Sequence, residues 1–111
     1  MSKDESEQID SVDLDGFEKL LEHRLRLTIC VLLSRYERLS FSRIKALTGE
    51  TDGNLGANLR RLEDAGFLVS DKKFQQRKPV TWYLLAPAGR SSLRAHLDAL
   101  ARLISGVGEE S

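Results

Sequence analysis

Apolar side chains recur three and four residues apart along this chain, except between Gly66 and Pro87, where the period shortens to that of a strand. Leu14, Phe17, Leu20 and Leu21 predict an amphipathic helical lead-in. Glu22 to Arg35 predicts a helix with Leu25, Ile29 and Leu32 on one face and Leu27 and Val31 almost opposite. A helix apolar on nearly all sides is buried on more than one, here against another helix or a second subunit. Ser40 is the expected N-cap of a short helix over Phe41 to Thr48, whose apolar positions are Phe41, Ile44 and Leu47 and which Gly49 stops. A third helix is predicted from Asp52 to Ala65, capped by Thr51 or Asp52 and closed by Gly66. Leu55, Leu59 and Leu62 form its buried stripe.

Beyond Gly66, Phe67–Ser70 and Val80–Leu85 are rich in β-branched and aromatic residues and predict a hairpin. The polar, basic stretch 71–79 between them is expected to be its long tip. Trp82 and Tyr83 alternate across the strand, so one of them should pack inward. Pro87 opens a last helix to Ile104, along which Leu93, Leu97, Leu100 and Ile104 make a short heptad-like seam. The expected fold class is therefore mainly α with a small β-hairpin (α+β), a winged helix-turn-helix over residues 14–104. The tail at 1–13 is acidic and expected to be disordered, and 105–111 to be a flexible tail.

Charge sharpens this division. The chain of 111 residues is formally neutral, yet acids exceed bases by five in residues 1–21 and by two in 105–111, while bases exceed acids by seven in 22–104. The folded part is basic, which suits a polyanionic partner. The longest apolar run, Ile29–Leu33, is far short of the roughly 20 residues a membrane span needs. No apolar segment follows the N-terminus, so a cytoplasmic protein is expected. Cys30 lies within that apolar run and is expected to be a small buried hydrophobe. His23 and His96 are far apart, with no cysteine or acidic cluster beside them, so neither a metal site nor a cofactor is expected. No phosphate-binding glycine loop, zinc spacing or nucleophile–base set is present, and no enzymatic activity is expected.

The third helix carries the candidate chemistry. With Leu55, Leu59 and Leu62 inward, Gly53, Ala57, Arg60, Arg61 and Asp64 fall on the far side, flanked by Asn54 and Asn58. Small residues followed by arginines suit close entry into a DNA major groove, where Asn and Arg can pair with adenine and guanine edges. The expected base contacts are Asn54, Ala57, Asn58, Arg60 and Arg61. Lys72, Lys73, Arg77 and Lys78 in the hairpin tip are expected on the phosphate backbone or in the minor groove. Arg43 and Lys45 are lesser phosphate candidates.

Four stretches together resemble the MarR/ArsR-type winged-helix transcription regulators, in particular their small single-domain branch. They are Glu22–Leu27; Thr51–Leu55 with Leu59–Phe67; Lys73–Pro79 running into Thr81-Trp82-Tyr83; and Leu85–Arg90. The resemblance implies a homodimer on a pseudo-palindromic DNA operator, with the helix at 52–65 in the major groove and the wing at 71–79 alongside. Gly56, Asn58 and Ala86 depart from the serine, histidine and threonine frequent at those places in the family, and the metal-binding cysteines of the ArsR type are absent. The dimer is expected to form through the helix at 87–104 and the spare face of the 22–35 helix, using Leu27, Val31, Leu93, Leu97, Leu100 and Ile104. The alternative is a winged helix used as a protein–protein adaptor. No effector pocket is legible in the sequence.

Overall fold

Local capping chemistry sets most of the helix boundaries. In the computed structural model, which describes residues 12–107, helix α1 spans Arg24–Arg35, its first turn closed by His23, whose ring nitrogen accepts from the Arg26 N–H at 3.4 Å. Helix α2 spans Phe41–Thr48, with the Ser40 hydroxyl accepting from the Arg43 N–H at 3.1 Å and Gly49 donating its N–H to the Lys45 carbonyl. Helix α3 spans Asp52–Asp64, with the Thr51 hydroxyl accepting from the Asn54 N–H at 3.2 Å. Each cap supplies an acceptor for an N–H that has no partner inside its helix. Helix α4 spans Pro87–Ile104 and begins at Ala86, which offers no side-chain cap.

The β structure departs from the sequence expectation in two ways. A short strand β1, Leu39–Ser40, precedes α2 and pairs antiparallel with the strand that carries Trp82 and Tyr83. The stretch expected as a long loop is mostly strand: β2 runs Leu68–Gln75 and β3 runs Lys78–Leu85, in the order β1-β3-β2. Pairing continues outward from Leu68↔Leu85 to Gln75↔Lys78, leaving a two-residue turn at Gln76-Arg77. Both turn residues have positive φ, 52° and 68°, as a hairpin turn matched to strand twist demands.

One core joins these elements. Leu25, Ile29, Cys30 and Leu33 of α1 lie at its centre, met by Ile44 of α2, by Leu55, Leu59 and Leu62 of α3, by Leu68 and Leu85 of the sheet and by Leu93 of α4. Of the α2 stripe, Ile44 is buried and Phe41 packs partly on the core, whereas Leu47 is exposed. Helix α4 docks closely on the chain just before β2, since a Cβ at Gly89 would collide with the Phe67 carbonyl oxygen. Only glycine fits there. Trp82 and Tyr83 are both half-buried; Tyr83 packs on the core and Trp82 lies beneath the Arg38 guanidinium, 4.1 Å from the ring centre.

The lead-in expected as a helix is instead an irregular clasp ending in one 3-10 turn at Lys19–Leu21. Gly16, at φ 93°, breaks any helix before it starts. The clasp grips α4: Arg102 donates to the Asp15 carbonyl at 2.9 Å, the Glu18 N–H donates to Nδ1 of buried His96 at 3.0 Å, and the Phe17 ring meets that imidazole edge-on. The acidic tail expected at 1–13 lies, except for Val12 and Asp13, outside the described residues, as do residues 108–111.

Candidate nucleic-acid interface

Helix α3 is anchored by buried leucines. Leu55, Leu59 and Leu62 are at most 1% exposed, and burying each apolar side chain contributes about 1.5–3 kcal/mol. The opposite face is open: Asp52, Gly53, Ala57, Arg60, Arg61 and Asp64 are all exposed. Gly53, Gly56 and Ala57 form the floor of a shallow groove that continues past Arg60 and Glu63 to Tyr83 on β3. Glu63 is not free, because the Ser70 hydroxyl donates to its carboxylate and so ties α3 to β2. Burial first, and Glu63 second, raise the Tyr83 phenol above its ordinary value, while Arg60 opposes them. Lys45 reaches across the turn to Asp52 at 2.8 Å, an exposed pair that holds the start of α3 to α2.

Asn54 is exposed at this N-terminal end, but its amide is already oriented. Its Nδ2 donates to Glu50 Oε1 at 2.7 Å, and its Oδ1 accepts from Asn58 Nδ2 at 3.1 Å. Asn58 corrects the sequence expectation of a base contact: it is 6% exposed and points inward. At 100° per residue it sits only about 40° from Leu62, on the buried side of the helix. Its Oδ1 accepts from Arg26 Nη1 at 2.9 Å, while Arg26 Nε donates to the Leu20 carbonyl at 2.7 Å. Burial, and then the Arg61 guanidinium nearby, lower the Arg26 pKa from its ordinary value. Sequence periodicity gave no hint of Arg26, because an arginine in the first turn of an apolar helix, beside Arg24, reads as a solvated edge.

The wing is the opposite kind of structure. Every residue from Asp71 to Pro79 is exposed, and Lys72, Lys73, Arg77 and Lys78 stand along its two strands and turn. Lys73 is paired loosely with Asp71 at 3.5 Å; among the described residues Lys72, Arg77 and Lys78 have no carboxylate within reach. Phe74, 77% exposed in the midst of these cations, went unnoticed in the sequence because an isolated aromatic in a polar run has no period.

Of the residues expected at a subunit contact, Leu93 is a correction: it is 4% exposed and belongs to the domain's own core. Leu27, Val31 and Leu100 are half-buried, whereas Leu97 and Ile104 stay open, joined by Leu103. Cys30 is fully buried, and burial pushes its thiol up to about 12. Among the described residues, no group of three or more His, Cys, Asp or Glu is placed to hold a metal, and no helix is long and apolar enough to cross a membrane.

A helix-turn-helix with an exposed second helix, a β-hairpin wing and a supporting C-terminal helix defines a winged-helix protein. The chain matches the winged helix DNA-binding domain family over residues 25–104 and belongs to that family. It is similar to a transcriptional regulator homologue from Pyrococcus horikoshii OT3, with a TM-score of 0.75 and 28% identity, over 79% of this chain and 87% of that one. An uncharacterised protein of Methanocaldococcus jannaschii is 26% identical over 89 residues, 80% of this chain and 97% of its own length. A MarR family transcriptional regulator from Streptomyces coelicolor, solved in complex with DNA, shares the fold with a TM-score of 0.62 at 19% identity, over 82% of this chain and 66% of that one. The resemblance to winged-helix regulators read from the sequence is borne out, and with it the fold class.

Proposed function

We propose that this chain is a sequence-specific regulator of transcription that binds double-stranded DNA as a homodimer. The observation that carries the reading is the split character of α3, with leucines locked in the core and Gly53, Ala57, Arg60 and Arg61 open beside a cationic wing. Helix α3 enters the major groove, where Asn54, Arg60 and Arg61 read base edges and Ala57 allows close approach. Lys72, Lys73, Arg77 and Lys78 of the wing hold phosphates or enter the minor groove. That a Streptomyces coelicolor regulator of the same fold was solved in complex with DNA supports DNA as the partner.

The homodimer forms along α4. Leu97, 40% exposed, and Ile104, 58% exposed, lie on one stripe with half-buried Leu100, and Leu27 and Val31 of α1 add to the apolar surface. A twofold axis there presents two reading helices to half-sites about one helical turn apart, which makes the operator pseudo-palindromic. The protein then works in the cytoplasm, on the nucleoid.

Selection of bound duplexes from a randomised pool tests binding, symmetry and spacing together. A recovered inverted repeat is the expected result; indifference to duplex DNA at low ionic strength refutes the regulator and favours a protein–protein adaptor. Sedimentation showing only monomer at micromolar concentration refutes the dimer.

A further inference from the structure

Between the clasp and the start of α3 runs a line of side-chain hydrogen bonds in which Asn54 is a proposed base contact and Arg26 and Asn58 are not. It begins at the Leu20 carbonyl, passes through the Arg26 guanidinium and the buried Asn58 amide to Asn54, and ends on the Glu50 carboxylate. Its two charged groups, Arg26 and Glu50, each have a single polarity. A guanidinium only donates and an ionised carboxylate only accepts, whereas a carboxamide can turn either way.

That asymmetry fixes every amide in between. Because Arg26 donates, the Asn58 oxygen must face it, and the Asn58 nitrogen is turned toward α3. There Nδ2 is shared between the Asn54 carbonyl at 2.9 Å and Asn54 Oδ1 at 3.1 Å. The Asn54 oxygen is thereby set on the Asn58 side, and its nitrogen is drawn to Glu50 at 2.7 Å. Two acceptor lone pairs and two donor hydrogens belong to each carboxamide. Among the described residues, Asn54 is left with one lone pair and one N–H uncommitted, the complement of the N6 donor and N7 acceptor on an adenine edge.

We propose that Arg26 and Asn58 are positioning residues that fix the Asn54 amide in one orientation and so set base specificity without touching DNA. The proposal rests on the reading of Asn54 as a base contact. Glu50 completes the arrangement from the other end. Asn58 is thus a specificity residue acting through its neighbour, from inside the protein.

The decisive variant is Asn58→Asp, which keeps the side-chain shape and the contact with Arg26 but replaces the donor facing Asn54 with an acceptor. Selection from a randomised duplex pool is run on the full chain, on Asn54→Ala, on Asn58→Asp and on the double variant, with thermal melting to confirm folding. Preference at each position is taken as a ratio within one protein, so the uniform effect of the added negative charge cancels. The expected result is loss, in Asn54→Ala, of about tenfold or greater preference at one base pair per half-site. The same preference falls in Asn58→Asp, and the double variant shows no further loss. Preference retained in Asn58→Asp, with binding merely weaker for all sequences, overturns the relay while leaving Asn54 as a reader. Preference unchanged in Asn54→Ala overturns Asn54 as a reader, and the relay falls with it. Should Asn58→Asp fail to melt cooperatively, Asn58→Ser, which is uncharged and smaller, carries the same comparison with the same two outcomes.

Discussion

Helix α3 and the wing face the same proposed partner, yet they are built on opposite terms. The helix is held by three leucines inside the core and by the Ser70–Glu63 contact, while the wing has no residue from Asp71 to Pro79 that is even half-buried. The difference teaches where discrimination can reside. Reading a base edge needs a side chain whose position is settled before contact, whereas a phosphate can be met by any flexible cation.

The largest effects should come from paired truncations that set core against wing. Leu59→Ala removes a side chain 1% exposed and should cost about 2–5 kcal/mol in denaturant unfolding. Phe74→Ala, in the wing, should change stability by no more than about 0.5 kcal/mol. A comparable loss for Phe74→Ala would mean that the wing is anchored after all. Next come the contacts themselves. Arg60→Ala should lower affinity for the selected sequence by about 1–3 kcal/mol and relax one base preference, while Lys78→Ala should weaken all sequences alike and reduce the salt slope by about 1. Equal losses across all sequences for both variants would erase the proposed division of labour.

A smaller effect tests the turn. Gln76 and Arg77 both occupy the left-handed region, which disfavours their side chains. Replacing the pair with Asn-Gly should raise stability by about 1 kcal/mol while lowering the salt slope of DNA binding, because one cation is gone. Stability and binding would then move in opposite directions within one variant. Least of all, at neutral pH, is the effect of Cys30. With its thiol raised from 9.0 to about 12, it should resist a thiol reagent until the protein unfolds. The stability this protonated thiol contributes is complete below pH 9 and is lost as pH rises from 9 toward 12, because the unfolded thiol ionises first. Alkylation of the native protein near about pH 8 would contradict its burial.

Legibility followed the range of the interaction. Ser40, Gly49 and Thr51 were readable because a cap and its helix are a few residues apart. The leucine stripe of α3 was readable because its period is local. Asp71 to Gln75 looked like loop because nothing in their own composition announces the partners at Lys78–Trp82 that hold them in a ladder. Leu39–Ser40 is too short to show any period at all. Asn58 and Leu93 were misassigned for different reasons. Asn58 sits at the margin of the leucine stripe. Leu93 lies within its seam, but in the early part of α4, which packs on the domain's own core while Leu97 and Ile104 further along stay open. The proposed base contacts Asn54, Ala57, Arg60 and Arg61 were named from the sequence and are exposed on α3, whereas Arg26 came into view only through its partners.

Strand β2 lies at the outer edge of the sheet, where its outward backbone donors and acceptors meet no neighbouring strand among the described residues. An edge of that kind invites the same strand of another molecule, and Lys72 and Lys73 stud it with charge. The lysines that suit the wing to a polyanion therefore also act as guards against aggregation. A mutant stripped of both should precipitate at concentrations the parent tolerates, so turbidity has to be checked before any lost DNA affinity is blamed on missing phosphate contacts.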